Sequence, residues 1–471
     1  MKINWFDKLN KAVERVSPLK FFIVLSVIFG LLFAFITPPF QGADEEVHFL
    51  RAYQISEGNF VVDKLEGYVG GKLPDALGKT IDLTTTHPVI KFYASQKYND
   101  ELTYQALNIK VNPKEAHFYD FSATGVYHPI SYAPSAGGIL FARLLRLSPV
   151  AMLYIGRVAD LAAWIILMGS AIYLMPRKKW AAVFIGLLPM ALFQASIVST
   201  DAVTIGMAAV FIALTLKLVE QKTLITKKQL ALLLSAAITM TLTKQIMFIL
   251  LPLVLLIPAK NFMTKKKAYV FKTLSVVVPI ALMQYWAHLI RWIDLTATFT
   301  NKQNPSVQID YVLQEPHTFV NVLWNTNFFG WGDGITRSFI GNFGWSDTAL
   351  SEMLVVIGYI GLAAVLVINS GEKPRWFSRS QRLLIGLLAV VYWLAVNLAL
   401  YIYYSPVGFK VIIGLQGRYF LPIALLFIPL FYGSWLKTSL RSYRKIAIFV
   451  PIGLLVASFI TIYFRYYIHN V

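Results

Sequence analysis

Pro38-Pro39-Phe40-Gln41-Gly42-Ala43-Asp44-Glu45-Glu46-Val47-His48-Phe49-Leu50-Arg51 follows directly on the first long apolar run, Phe21 to Thr37. A run of that kind is a membrane span, and the two prolines end its helix because neither ring nitrogen can donate a hydrogen bond. Three consecutive carboxylates then stand at the bilayer boundary, with His48 and Arg51 within one or two helical turns. The dipole of a starting helix favours an acidic residue, which accounts for one carboxylate. It does not account for two prolines, a glycine and an Asp-Glu-Glu-x-His cluster in one short segment. The run ahead of them lacks a small-residue cleavage site and reads as a retained span.

The rest of the chain follows the same pattern. It is 57% hydrophobic and 14% charged, and apolar runs recur from end to end. These are the marks of a polytopic helical membrane protein. The net charge of +19 is spread over short Lys and Arg clusters between the apolar runs, as in cytoplasmic loops facing anionic lipid. That distribution excludes a nucleic-acid role. Cysteine is absent, so disulfides and cysteine metal sites are excluded.

Positive-inside logic orders the spans. Residues 1–17 carry Trp5, Leu9, Val13 and Val16 at helical spacing among lysines and Arg15, which predicts a cytoplasmic amphipathic helix. Residues 18–290 form the main membrane domain, including a first external loop over 38–149. Within that loop 129–147 is read as a juxtamembrane helix. A second external loop covers 291–350, and 351–471 supply the C-terminal transmembrane helices. The expected class is therefore all-α, with about eleven spans, external juxtamembrane helices and an external C-terminus. The runs 229–243 and 245–257 are read as a short pair of spans, because dense lysine clusters flank the stretch.

Neither a Walker A loop, a dinucleotide-binding glycine motif nor a His-Glu-x-x-His helix is present, so a soluble nucleotide site is unsupported. Polar groups at the external ends of apolar helices stand out instead, because a charge there is expensive. They are the Asp44-Glu45-Glu46 cluster, Asp201, Lys244 in Thr243-Lys244-Gln245, and Arg418 in Gln416-Gly417-Arg418-Tyr419. The span order puts all of them on one side. Asp44 is the first choice for a base or metal-binding carboxylate and Glu45 the second. Lys244 and Arg418 suit a phosphate. A snorkelling lysine, a structural ion pair for Arg418 and a helix cap for Asp201 are the plainer alternatives. His48, Asp201 and Tyr419 are supporting candidates. Trp331, Trp345 and Asp347 of the second loop suit sugar contacts or an interfacial aromatic belt. Any metal would be a divalent cation, Mg or Mn, on Asp44 and His48; His87, His117 and His128 lack zinc-ligand spacing.

Pro39-x-x-x-x-Asp44-Glu45-x-x-His48-Phe49, Gly341-Asn342-Phe343-Gly344-Trp345-Ser346-Asp347-Thr348 and Gln416-Gly417-Arg418-Tyr419-Phe420-Leu421-Pro422 resemble the motifs of a bacterial membrane family known as domain of unknown function 2142. The resemblance covers nearly the whole chain. The layout also resembles the GT-C class of polyprenyl-phosphate-sugar glycosyltransferases, which carry an acidic residue just after the first span. At class level this implies a sugar donor on a polyprenyl phosphate, a cell-envelope glycan or glycolipid acceptor, and a site on the outer face of a bacterial plasma membrane. The rivals are a lipid-linked glycan polymerase or ligase, and a flippase or transporter.

Overall fold

The computed structural model describes residues 13–85, 90–93, 95–293, 303–329, 332–369, 376–432 and 436–468. Most of the expected N-terminal amphipathic helix, with Trp5, lies outside the described residues, as do His87 and Trp331.

Among the described residues six helices are long and apolar enough to cross a membrane: Pro18–Ile36, Pro149–Leu174, Asp201–Glu220, Lys265–Leu289, Arg379–Tyr404 and Leu440–Tyr467. The other expected spans are shorter or broken. The run over 180–199 is two short helices, Lys179–Gly186 and Pro189–Ala195, parted where Pro189 cannot donate into the preceding turn. Lys227–Thr243 and Glu352–Val367 are α-helices of 17 and 16 residues. Gln245–Leu256 and Gly417–Leu426 are 3-10 helices, each with an internal proline, Pro252 and Pro422. A 3-10 helix rises about 2 Å per residue, so a short run reaches further across a bilayer than an α-helix of equal length. Lys244 is extended (φ −147°, ψ 132°), so 227–256 is a broken pair and not one continuous helix.

Asp201–Glu220 is apolar nearly all round and buried on almost every face, as expected for a central helix. Ala133–Leu144 has 12 residues, too short to span, and packs back along Pro149–Leu174. Gly138 permits that approach, since a Cβ there would stand 2.9 Å from Ile155 O. This agrees with a juxtamembrane role for 129–147.

The all-α class holds, with a little strand added to it. The first loop contains a three-stranded antiparallel sheet, Asp63–Leu65, Tyr68–Pro74 and Ala116–Asp120, with Gly70 opposite Asp120 and Leu73 opposite His117. Val69 and Leu73 turn into a small core with Phe49, Tyr53 and Phe121. That core seats Glu45–Ser56, the helix that begins in the acidic cluster. The period of two is too short here to register against the loop's polar composition.

The basic clusters gather at one end of the bundle. Arg177 Nε donates to Glu220 Oε1 at 2.7 Å, and Lys178 Nζ to Ile368 O. Ile368–Asn369 pairs with Leu436–Lys437, and Arg441 meets Glu14 at 2.8 Å. Asp44, Asp201, Lys244 and Arg418 lie together at other helix ends, on one cavity. The basic loops around 177, 368 and 441 thus share one end, as the charge pattern predicts for them. Which end faces the cytoplasm is a prediction. Single cysteines replacing the exposed Asp100 and Ser306 should both react with a membrane-impermeant thiol reagent in whole cells. Reaction of Ser306→Cys only after lysis would put the second loop inside.

Candidate functional site

Residues far apart in sequence meet around a cavity of about 380 Å³. Asp44 stands at its mouth as the residue before the first-loop helix, in the left-handed region at φ 59°, ψ 16°. Aspartate tolerates that conformation better than most residues, at some cost in strain. Its carboxylate is exposed into the cavity and makes no hydrogen bond or ion pair among the described residues.

Asp201 opens the central helix and is gripped from two sides. Lys244 Nζ donates to its Oδ1 at 2.6 Å, and Gln194 Nε2 to its Oδ2 at 2.7 Å. Arg418 Nη1 stands 4.0 Å from Oδ2. The Arg418 side chain is buried, and its Nε has no hydrogen-bond partner among the described residues. Gly417 places it there. A Cβ at Gly417 would lie 2.2 Å from Ile335 O, so only glycine lets this 3-10 helix start against Gly332–Ile340. Asp44, Asp201, Lys244 and Gln416 each stand at or beside the start of a helix, and such starts present unpaired N–H groups that favour an anion. Two carboxylates and two cations balance formally, but one pair is spent between Lys244 and Asp201. Arg418 makes a looser ion pair with the same Asp201, as its plainer alternative predicts, which leaves its remaining N–H donors and Asp44 for a ligand.

The opposite wall is apolar: Ile205, Met247, Val396, Leu400 and Pro422, with the rings of Tyr127, Tyr392, Tyr404 and Tyr419 between. An anion with a hydrocarbon attached matches such a surface.

The structure brings together Asp44, His48, Asp201, Lys244, Arg418 and Tyr419. Other candidates go elsewhere. Glu45 is fully buried and faces away, ion-paired with Arg157 (2.7 and 2.6 Å) and accepting from Val198 N–H at 3.0 Å. Its proposed catalytic part is corrected: Asp44 stands before the helix in a left-handed turn, whereas Glu45 opens the helix and points into the bundle to Arg157. Asp347 does not line the cavity; it pairs with Arg465 at 2.8 Å. Trp345 also lies off it, under Lys91 at 4.3 Å and donating to Phe40 O at 3.4 Å. These two clasp the last helix and the first loop. Trp331 lies outside the described residues. The sequence reading missed Gln194, hidden in an apolar run, and Tyr404 at a helix end. Tyr127, beside His128-Pro129, carries no motif that marks it in the sequence.

His48 Nδ1 is 2.7 Å from the Tyr132 hydroxyl, so its side chain answers Tyr132 and not the Asp44 carboxylate. The residues fit a divalent cation poorly. Among the described residues no three His, Cys, Asp or Glu gather as ligands. Asp201 is already held by Lys244, and two fixed cations stand where a metal's charge would be needed.

Burial, aided by Lys244 and Arg418, outweighs Asp44 and Asp201 and pushes His48 down to about 4. The unfolded chain takes up this proton near its ordinary value of about 6.5, before the folded one does. The His48 contribution to stability is therefore complete above about pH 6.5 and lost as pH falls towards about 4. His48→Gln should flatten the fall in unfolding temperature between pH 6.5 and 5, measured in detergent beside wild type. An unchanged slope would place the acid sensitivity elsewhere.

Helical spans, basic loops at one end and an ionic, amphipathic cavity among other helix ends define a multi-pass membrane protein with a built polar site. The chain belongs to the family described as predicted membrane protein (DUF2142), whose model matches residues 27–427. No curated protein and no solved structure matches it.

Proposed function

We propose that the cavity binds the phosphate of a polyprenyl-phosphate sugar and that the protein transfers the sugar to a glycan or glycolipid, with the site facing outward from a bacterial plasma membrane. The observation that carries this reading is the meeting of Lys244, Arg418 and the unengaged Asp44 beside an apolar wall. In the transfer, an acceptor hydroxyl oxygen attacks the anomeric carbon and its proton passes to the Asp44 carboxylate. The bond from that carbon to the phosphate oxygen breaks, and its electron pair leaves with the lipid phosphate. Arg418, with donors to spare, and Lys244, shared with Asp201, stabilise the departing charge.

Farnesyl phosphate tests the donor half of this reading. It should raise the unfolding temperature of the protein in nanodiscs, and farnesol should not. Arg418→Gln should weaken the effect about tenfold or more, the worth of one charge-assisted hydrogen bond. Equal stabilisation by farnesol would reduce the cavity to a greasy pocket. The broken passage at Pro189 and the two 3-10 passages also favour a second reading, a flippase, because discontinuous helices with their starts on an anion site mark transporters. A flippase needs the cations but no proton acceptor, so it should tolerate Asp44→Asn.

A further inference from the structure

A second cavity, of about 580 Å³, lies beside the first and shares Tyr127 and Lys244 with it as a common wall. Its other walls come from the ends of Lys227–Thr243, Lys265–Leu289 and Arg379–Tyr404, and from Pro305. Met283, Trp286, Ala287 and Ile290 line it from the end of a helix whose outer side, with Tyr285 and Leu282, is exposed and apolar. The cavity therefore sits at the level where the bundle meets the bilayer surface.

Its chemistry differs from that of its neighbour. It has no carboxylate. It is lined by three aromatic faces, Tyr127, Trp286 and Tyr403, with His128, Gln245 and Arg291 as polar groups. The platform is held in place: Trp286 Nε1 donates to Val126 O at 3.0 Å, and the His128 ring meets the indole edge-on at 4.8 Å. Flat aromatic faces beside amide, imidazole and guanidinium donors suit a sugar ring, whose C–H face is apolar and whose rim is hydroxyl. Lys244 turns to Asp201 of the first cavity and Arg291 is exposed, so the buried guanidinium of Arg418 in the first cavity is the better partner for a phosphate.

We infer that this second cavity holds the sugar of a membrane-anchored glycan, the acceptor, separated from the donor phosphate by Tyr127 and Lys244. This rests on the transferase reading above. Each cavity would bind one partner, and a hydroxyl passing the Tyr127 ring would enter the space that Asp44 faces. The arrangement keeps acceptor and donor on opposite sides of one side-chain partition.

The chain has no cysteine, so each cavity can be probed by a single introduced thiol. Ala287→Cys reports on the second cavity and Ala399→Cys on the first. In nanodiscs, octyl glucoside below its micellar concentration should slow maleimide labelling of Ala287→Cys at least threefold and leave Ala399→Cys unaffected. Farnesyl phosphate should do the reverse. Octanol should protect neither site. Adding Tyr403→Leu, which keeps an apolar wall but removes a ring, should raise the half-protecting glucoside concentration about fivefold or more, consistent with the worth of one aromatic contact. Tyr403 is well exposed and its side chain makes no hydrogen bond among the described residues, so the variant should fold where Trp286→Leu fails.

Equal protection by octanol, or no protection by the glucoside at Ala287→Cys, overturns the acceptor site. Glucoside protection of Ala287→Cys with no farnesyl phosphate effect at Ala399→Cys leaves the sugar site standing and removes the donor reading instead.

Discussion

Asp44→Asn should lower sugar transfer by about two to four orders of magnitude, the usual loss on removing a general base. The variant should fold and bind farnesyl phosphate as well as wild type does. The carboxylate makes no hydrogen bond or ion pair among the described residues, and asparagine also tolerates the left-handed backbone that Asp44 adopts. The measurement is single-turnover transfer from a short-chain isoprenyl-phosphate sugar by protein in nanodiscs, at matched concentrations. Wild-type transfer by Asp44→Asn would take the base out of the mechanism and leave the flippase as the better reading. Lost binding together with lost transfer would make Asp44 a binding residue.

Glu45→Gln, one residue further on, should fail differently. The Arg157–Glu45 pair is fully buried, and Arg157 also donates to Ala34 O, Thr37 O and Pro38 O, so it ties the end of the first span to the second long helix. Removing one partner of a buried pair strands the other's charge in a medium of low dielectric. That typically costs about 3–5 kcal/mol. Glu45→Gln and Arg157→Met should each unfold in mild detergent at temperatures that wild type survives, read by loss of a monodisperse elution peak. Any Glu45→Gln molecules that do fold should bind farnesyl phosphate normally. A stable Glu45→Gln protein with impaired binding would return Glu45 to the site.

The contrast between these neighbours shows where sequence reading stops. That an acidic cluster follows the first span is plain from composition and from Pro38-Pro39. Which carboxylate faces the cavity depends on the left-handed turn at Asp44, and on Arg157 waiting on another helix. Neither is a local property. Trp345 and Asp347 carry the same ambiguity: an aromatic and a carboxylate in a Gly-rich loop read as a sugar contact, yet their partners are Lys91, Phe40 and Arg465.

The sequence by itself determined the membrane class and the meeting of Asp44, Asp201, Lys244 and Arg418 at one end of their helices. These follow from hydropathy and charge counted along the chain, because the bilayer acts on each segment separately. The tertiary structure decided the rest: the small sheet under the first-loop helix, the breaks at Pro189 and Lys244, the partition of Tyr127 and Lys244 between two cavities, and the burial of Glu45 beside an exposed Asp44. Those depend on which faces meet across the bundle, and pairing energies between distant side chains are not written in the periodicity of any one segment.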